Sequence, residues 1–352
     1  MALKAIDFFC GIGGVTRAFL NKNIDVIAGI DNDITCKETY EINNIRPNGL
    51  HTKFLHEDIT NFDVKIVNSM ISKKKDDLIL IGCAPCQPFT QITKNLGKRH
   101  KERGLLKCFS DIILKLKPKY VFLENVEGLK SDKNKEILIN FINSLKPSYN
   151  LIPQVVNAKN YGVPQSRKRV ILFGKRKGII SFPDITHSDE LGYNSIKTLY
   201  EVIGNLPHLH AGETHSSYRN HTACKLTGIS LKRLQYQKEP GDGMTKWPIE
   251  LQLNSRRSKQ YKGHNDVYSR MFWDKPSGTL TTKFVSISNG RFAHPEQNRG
   301  LSILEGLLIQ SFPRNFKLLH KSIRIQAKQI GNAVPVKLAE AFAQKIIEDY
   351  IN

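Results

Sequence analysis

No apolar run in this sequence approaches the roughly 20 residues that a membrane-spanning helix needs. A cleavable leader is not expected either, since Asp7 interrupts the short apolar N-terminal stretch and no small-residue cleavage site follows. Cysteine is sparse: six irregularly spaced residues in 352 make no disulfide framework, which points to a reducing, cytoplasmic compartment. Acid is in short supply, with 32 Asp and Glu against 53 Lys and Arg, giving a formal charge of +21. Such an excess suits a polyanionic partner, because each cation that neutralises a phosphate releases a counterion. The charge is spread almost evenly, so composition does not say where that partner sits. What remains is ordinary globular material, 40% apolar and 24% charged, long enough for two domains.

Short apolar runs recur along the first half: KAIDFFC (4–10), DVIAGID (25–31), DLILIGC (77–83), KYVFLENV (119–126) and RVILFGK (169–175). Continuous runs of this length read as strands buried on both faces, as in a parallel sheet. Segments 109–117 and 135–145 between them carry apolar residues at helical spacing. The alternation predicts a doubly wound α/β sheet with ligands at the carboxyl ends of its strands. From about residue 186 the periodicity weakens, and 208–270 holds five of the eleven histidines, a turn-like EPGDGM and the basic NSRRSKQYKGH. Regularity returns in IGNAVPVKLAEAFAQKIIEDYI, a loop feeding an amphipathic helix. The expected division is 1–185 plus 322–352 as one domain and 186–321 as a smaller, irregular one.

The first strand runs into DFFCGIGG, whose Gly11, Gly13 and Gly14 permit a sharp turn and close approach to a ligand. Asp31 closes the second strand, where a carboxylate can bind ribose hydroxyls. Thr16 stands where a dinucleotide fingerprint needs a third glycine, so NAD is disfavoured, and a tight turn that binds nothing fits as well. Asp58, after KFLHED, is either an edge carboxylate for an adenine amino group or a turn former.

GCAPCQPFT (82–90) follows a buried strand and places Cys86 near the same sheet edge. Three readings compete. Half a zinc site lacks the second CxxC or HxxxH, so no metal is expected. A redox pair would sit in a smaller domain without the glycine turn. A nucleophilic thiolate fits Cys86 followed by polar sequence. Lys94, Lys98, Arg99, Lys101, Arg103 and Lys107, with glycines at 97 and 104, read either as a loop closing on a phosphate backbone or as a solvated charged loop. Glu124 and Asn125 end the next strand. If buried and partly neutral, Glu124 can hand a proton to a reacting base; otherwise it merely caps a turn. Arg167 and Arg169 in QSRKR point one way if extended, as donors to a base or phosphate, or else form a surface patch.

Taken in order, these motifs resemble the cytosine-5 DNA methyltransferase family of restriction-modification type, over nearly the whole chain. DFFCGIGG resembles its first cofactor motif, GCAPCQPFT its catalytic loop, and ENV (124–126) and QSRKR (165–169) its base-binding motifs. RFAHPEQNRGLS with LIQSFP resembles the motif that braces the recognition domain, and QIGNAVP (329–335) the last motif. The resemblance implies Cys86 as nucleophile, Glu124 at N3 of cytosine, Asn125 ordering the site, and Arg169 at O2 with Arg167 nearby. It implies that Phe8, Gly11, Gly13, Gly14, Asp31, Asp58, Pro85, Leu106, Asn332 and Val334 bind S-adenosyl-L-methionine, with S-adenosyl-L-homocysteine as product. The implied partner is double-stranded DNA, with base flipping and nucleoid association through that DNA. A cognate restriction endonuclease acting separately and a monomeric state are further expectations. The chain departs from the family pattern at Asp31, Asn32, Thr90 and Leu304. Relatives that methylate transfer RNA share QPFT, but their Cys-Phe-Thr is only approximated by CFS (108–110). A catalytically inactive DNA-binding relative would be expected to lose Cys86 or Glu124, and both are present.

Overall fold

The computed structural model of the protein describes residues 3–71, 78–84, 96–253 and 266–352, with the backbone alone for 96–103. All five apolar runs are strands: β1 (Lys4–Phe8), β2 (Asp25–Asp31), β4 (Leu78–Gly82), β5 (Tyr120–Val126) and β7 (Lys168–Arg176). Two more complete the sheet, β3 (Lys53–His56) and β6 (Tyr149–Asn157), in the order β3-β2-β1-β4-β5-β7-β6. The sheet is mixed rather than wholly parallel, because β7 runs antiparallel to both β5 and β6. β6 escapes a search for continuous apolar runs because it is an edge strand, with alternating exposure and Pro153 in its middle.

The helices are α1 (Gly14–Asn21), α2 (Lys37–Asn43), α3 (Lys65–Met70), α4 (Leu96–Leu116), α5 (Lys135–Leu145), α6 (Leu199–Ile203), α7 (Gly228–Gln235), α8 (Ile303–Ile309), α9 (Ile323–Asn332) and α10 (Val336–Ile351). Within 94–107, read as a loop, α4 is a correction from Leu96 onward and takes Gly97 and Gly104 into the helix, while residues 94 and 95 lie outside the described residues. Lys, Arg, Glu and Leu are good helix formers, and each internal glycine costs only about 1 kcal/mol. Leu106, Phe109, Ile113 and Leu116 then line the buried face of α4. Gly82 makes room for it, since a Cβ there would meet the Phe109 ring at 2.6 Å.

Two compact units result. The first comprises Met1–Tyr161, Lys168–Thr186 and Ala333–Asn352, and holds the whole sheet. The predicted C-terminal helix is α10, and Phe342 on it sits 5.2 Å from the rings of both Phe122 and Phe173. The loop expected ahead of it is half helical, because α9 runs through Asn332 and only Ala333–Pro335 link it to α10.

The second unit, Gly162–Arg167 with His187–Asn332, contains short helices, 3-10 turns and isolated bridges, with no named strand among its described residues. Polar knots replace a sheet. Arg270, 2% exposed, donates to the carbonyls of Gln237, Leu234, His294 and Gln297. Arg299 and Glu305 are fully buried and doubly bonded at 2.8 and 2.6 Å, and Glu305 also closes a capping box with Ser302. Burial alone would raise the Glu305 carboxyl, but the Arg299 guanidinium outweighs it and holds the group at about 2. Burial keeps His294 neutral, its pKa lowered to about 3, and its Nδ1 accepts from the Glu296 and Gln297 amides.

Glu305→Gln is expected to cost about 3–5 kcal/mol, because it strands a buried guanidinium. Urea unfolding at neutral pH measures it. The sign with pH is fixed by the depressed carboxyl: its contribution is complete above pH 4.5 and is lost as pH falls toward 2. The variant, which cannot titrate, lacks that part of the acid slope.

Candidate active site

Chain order makes the site. The chain leaves β1 for β2 and β3 on one side, then returns to β4 on the other, so the strand order reverses at β1. Ligands of open α/β sheets bind outside the carboxyl ends at such a switch point. The register aligns Ile30, Phe8, Gly82 and Leu123 across four strands, so Asp31, Phe9, Cys83 and Glu124 follow one step beyond that row. Because β7 is antiparallel, its amino end brings Arg169 opposite Val126 at the same edge.

The glycines of the turn serve different ends. Gly11 has φ +51 and nothing within 4 Å of where a Cβ would lie, leaving room for a ligand. Gly13 has φ +87, and its Cβ would fall 2.3 Å from the Asn44 side chain and 3.0 Å from Tyr40, so packing demands it. Gly14 is buried at the first turn of α1. Asp31 accepts from the Gly11 N–H at 2.8 Å and the Asp33 N–H at 2.8 Å, fixing the turn's shape. Asp58 caps the short turn after β3 by accepting from Thr60 N–H at 2.9 Å.

Phe8 is a correction. It has no exposed surface, and its ring packs on Phe62 and Phe109 at 5.3 and 5.6 Å, so no ligand reaches it. Phe9, next in sequence and half-buried with φ +59, is the aromatic with surface at the carboxyl edge. Sequence reasoning missed it because two adjacent phenylalanines leave the strand's last inward position ambiguous. Leu106 and Val334 are almost wholly buried in the first unit, while Asn332 is exposed in the second.

Thr16, the missing third glycine, has its own task. Its hydroxyl donates to Asp7 at 2.6 Å and lies 2.9 Å from the Tyr40 hydroxyl. Burial pushes the Asp7 carboxyl up to about 7, with the Thr16 bond opposing, so near neutrality the acid under the turn is substantially protonated.

At the other end of the edge, Glu124 is 7% exposed. Arg169 Nε lies 2.8 Å from its Oε1, yet that oxygen accepts no hydrogen bond among the described residues. The two are close as charges, but the N–H does not aim at the oxygen. Asn125 donates to the Ala84 carbonyl at 3.2 Å and accepts from its neighbour Val126, tying the end of β5 to the chain leaving β4. Pro85 and Cys86 follow Ala84 and lie outside the described residues, as does NSRRSKQYKGH at 254–264. Arg167 and Arg169, expected to work together, have different partners. Arg167 donates to the Leu280 and Gly331 carbonyls within the second unit.

A model of C-5 cytosine-specific DNA methylases matches residues 3–348. The chain belongs to that family. It is accordingly a DNA cytosine-5 methyltransferase, and the transfer-RNA and inactive-relative readings are not favoured. It is 36% identical to the Type II methylase M.HgiDII of Herpetosiphon aurantiacus, over 98% of this chain and 95% of that protein. It is 31% identical to the Type II methyltransferase M1.HphI of Haemophilus parahaemolyticus, over 99% and 87%. In fold it is similar to a DNA modification methyltransferase encoded within an E. coli prophage, with TM-score 0.74, 19% identity and full coverage of both chains. The S. pombe Dnmt2 methyltransferase gives a TM-score of 0.61 at 16% identity, again over both full chains. Among the described residues of this family member, no cluster of His, Cys, Asp and Glu could hold a metal, and no helix is long and apolar enough to cross a membrane.

Proposed function

We propose that this methylase acts on a specific sequence in double-stranded DNA, flipping out a cytosine and bonding its C6 to Cys86 Sγ. The observation that carries the reading is the buried Glu124 Oε1, held at the sheet edge beside a cation yet accepting no hydrogen bond among the described residues. A buried carboxylate oxygen that accepts no hydrogen bond is costly, and the N4 amino group of an extruded cytosine carries hydrogens that would satisfy it. Covalent reach favours Cys86 as the attacking group, since two peptide units from Ala84 span at most about 7.6 Å.

The chemistry divides among the chain's residues. Flipping costs a few kcal/mol of unstacking. Cys86 thiolate forms the S–C6 bond while Glu124 supplies a proton or hydrogen bond at N3, so the charge displaced into the ring is held there. Arg169 serves O2 and keeps Glu124 oriented, and Asn125 holds the chain on which Cys86 is carried. Loss of the C5 proton to a base then returns the electron pair that expels Cys86. S-adenosyl-L-methionine, when bound, supplies the methyl group to C5 and leaves as S-adenosyl-L-homocysteine. The residues present fit it: open space over Gly11, the Asp31 carboxylate beside it and the half-buried Phe9.

Residues 1–185 and 322–352 would serve cofactor and catalysis, and 186–321 would read the DNA. A restriction endonuclease of the same specificity, acting as a separate protein, is the partner that the Type II relatives suggest. Bisulfite sequencing of DNA from cells expressing the chain tests the reading. One protected sequence context is expected, and fully converted DNA would contradict it.

The two glycines give a further test of the cofactor site. Gly11→Ala should cost about 1 kcal/mol of stability for its left-handed φ, yet weaken S-adenosylmethionine binding tenfold or more. Gly13→Ala should lower the melting temperature far more, through its clash with Asn44 and Tyr40. Thermal melts and calorimetric titration separate the two. Equal melting losses with unchanged cofactor affinity would remove Gly11 from the site.

A further inference from the structure

The opposite edge of the sheet carries a feature that methyl transfer does not use. Where α4 ends, β6 begins and β7 ends, a depression of about 440 Å³ is lined by Lys117, Lys146, Arg176 and Lys177 around the buried Tyr149, with no carboxylate among the described residues that line it. Lys117, Lys146 and Lys177 are exposed and enter no ion pair among the described residues. The nearby acid Asp349 is already taken, by Lys175 at 2.6 Å and the Tyr120 hydroxyl at 2.7 Å.

Backbone conformation adds a second observation. Lys117 ends α4 with φ +49, and Lys177 leaves β7 with φ +61. Glycine or asparagine is favoured there, because a Cβ crowds the backbone. The turns themselves have no need of lysine: their N–H groups are met by Ile113 and Ser148 carbonyls. Both strained positions nevertheless present a cation to the same concavity, the inverse of what the backbone alone would select.

Three exposed lysines gathered in a concavity, with no ion pair among the described residues, fit phosphate groups. Arg169 at the active edge and Arg176 at the depression are seven residues apart on β7, about 23 Å at strand rise. The depression therefore faces phosphates other than those beside the target base. We propose that it binds the phosphodiester backbone of a DNA segment separate from the one being methylated. This rests on the reading of the chain as a DNA methylase.

The test uses the full chain and Lys117→Gln/Lys146→Gln/Lys177→Gln, whose exposed positions leave the fold intact, as melting would verify. Binding is measured against salt for a target-bearing duplex of about 15 bp and for one of about 60 bp. The variant should reduce the slope of log K against log salt on the long duplex by about 2.7, at roughly 0.9 per phosphate lost. Affinity and methyl transfer on the short duplex should be unchanged. In wild type, the long duplex should shield the three lysines from acetylation, read by mass spectrometry. An unchanged slope on the long duplex, or equal losses on both lengths, would overturn the proposal. So would shielding by inorganic pyrophosphate but not by the long duplex, which would make this a small-anion site. Wild-type protein that binds DNA but transfers no methyl group would instead sink the function proposed above.

Discussion

Cys86→Ser is expected to abolish methyl transfer, by at least about 10⁴-fold, while DNA affinity stays within a few-fold of wild type. In the proposed mechanism a thiolate attacks, and a serine hydroxyl is neither ionised near neutrality nor as nucleophilic toward C6. The carboxylates of the described edge are committed elsewhere. Asp31 is tied to the turn by the Gly11 and Asp33 amides, and Asp7 is buried beneath. Binding should survive because serine is slightly smaller than cysteine and removes no charge. Single-turnover transfer of labelled methyl groups, with fluorescence anisotropy for DNA, separates the two quantities. Transfer within tenfold of wild type would remove Cys86 from the mechanism.

Glu124→Gln is expected to lower the single-turnover rate by about 10²–10⁴-fold, the usual worth of a positioned acid or base. The amide keeps the shape of the carboxyl but gives up its proton and its charge beside Arg169, whose Nε lies 2.8 Å from Oε1. Because that removal also leaves a buried guanidinium without its anion, melting temperature must be followed in parallel. The predicted pattern is a large fall in rate with S-adenosylmethionine affinity unchanged. A rate within threefold of wild type, in a folded variant, would show that N3 is served by another group.

The sheet was legible where strands are buried on both faces, because burial of that kind demands an unbroken apolar run. β6 was not, since an edge strand alternates and tolerates Pro153. The basic stretch after Cys86 carries a charge pattern shared by solvated loops and solvated helices, and only the burial of Phe109 and Ile113 behind it identifies a helix. At the turn, the glycines were visible as a group, but a sequence does not distinguish one set by φ beside open space from one set by a packed neighbour. Phe8 and Phe9 differ by one position along a strand, which exchanges the core for the ligand side. The QSRKR arginines invite pairing by their spacing, yet Arg167 spends its donors on two carbonyls and Arg169 sits against Glu124. Glu124 and Arg169 nevertheless meet at one sheet edge, because β7 runs antiparallel to β5 and brings its amino end there.

Trapping decides whether Cys86 is the nucleophile. DNA carrying 5-fluorocytosine at the target position is incubated with the protein and S-adenosylmethionine, since fluorine at C5 cannot depart as a proton and the thiol stays attached. A denaturation-resistant protein–DNA adduct is expected, with Cys86 in its cross-linked peptide, and none is expected from Cys86→Ser. No adduct on the methylated sequence, or one mapped to another residue, would contradict it.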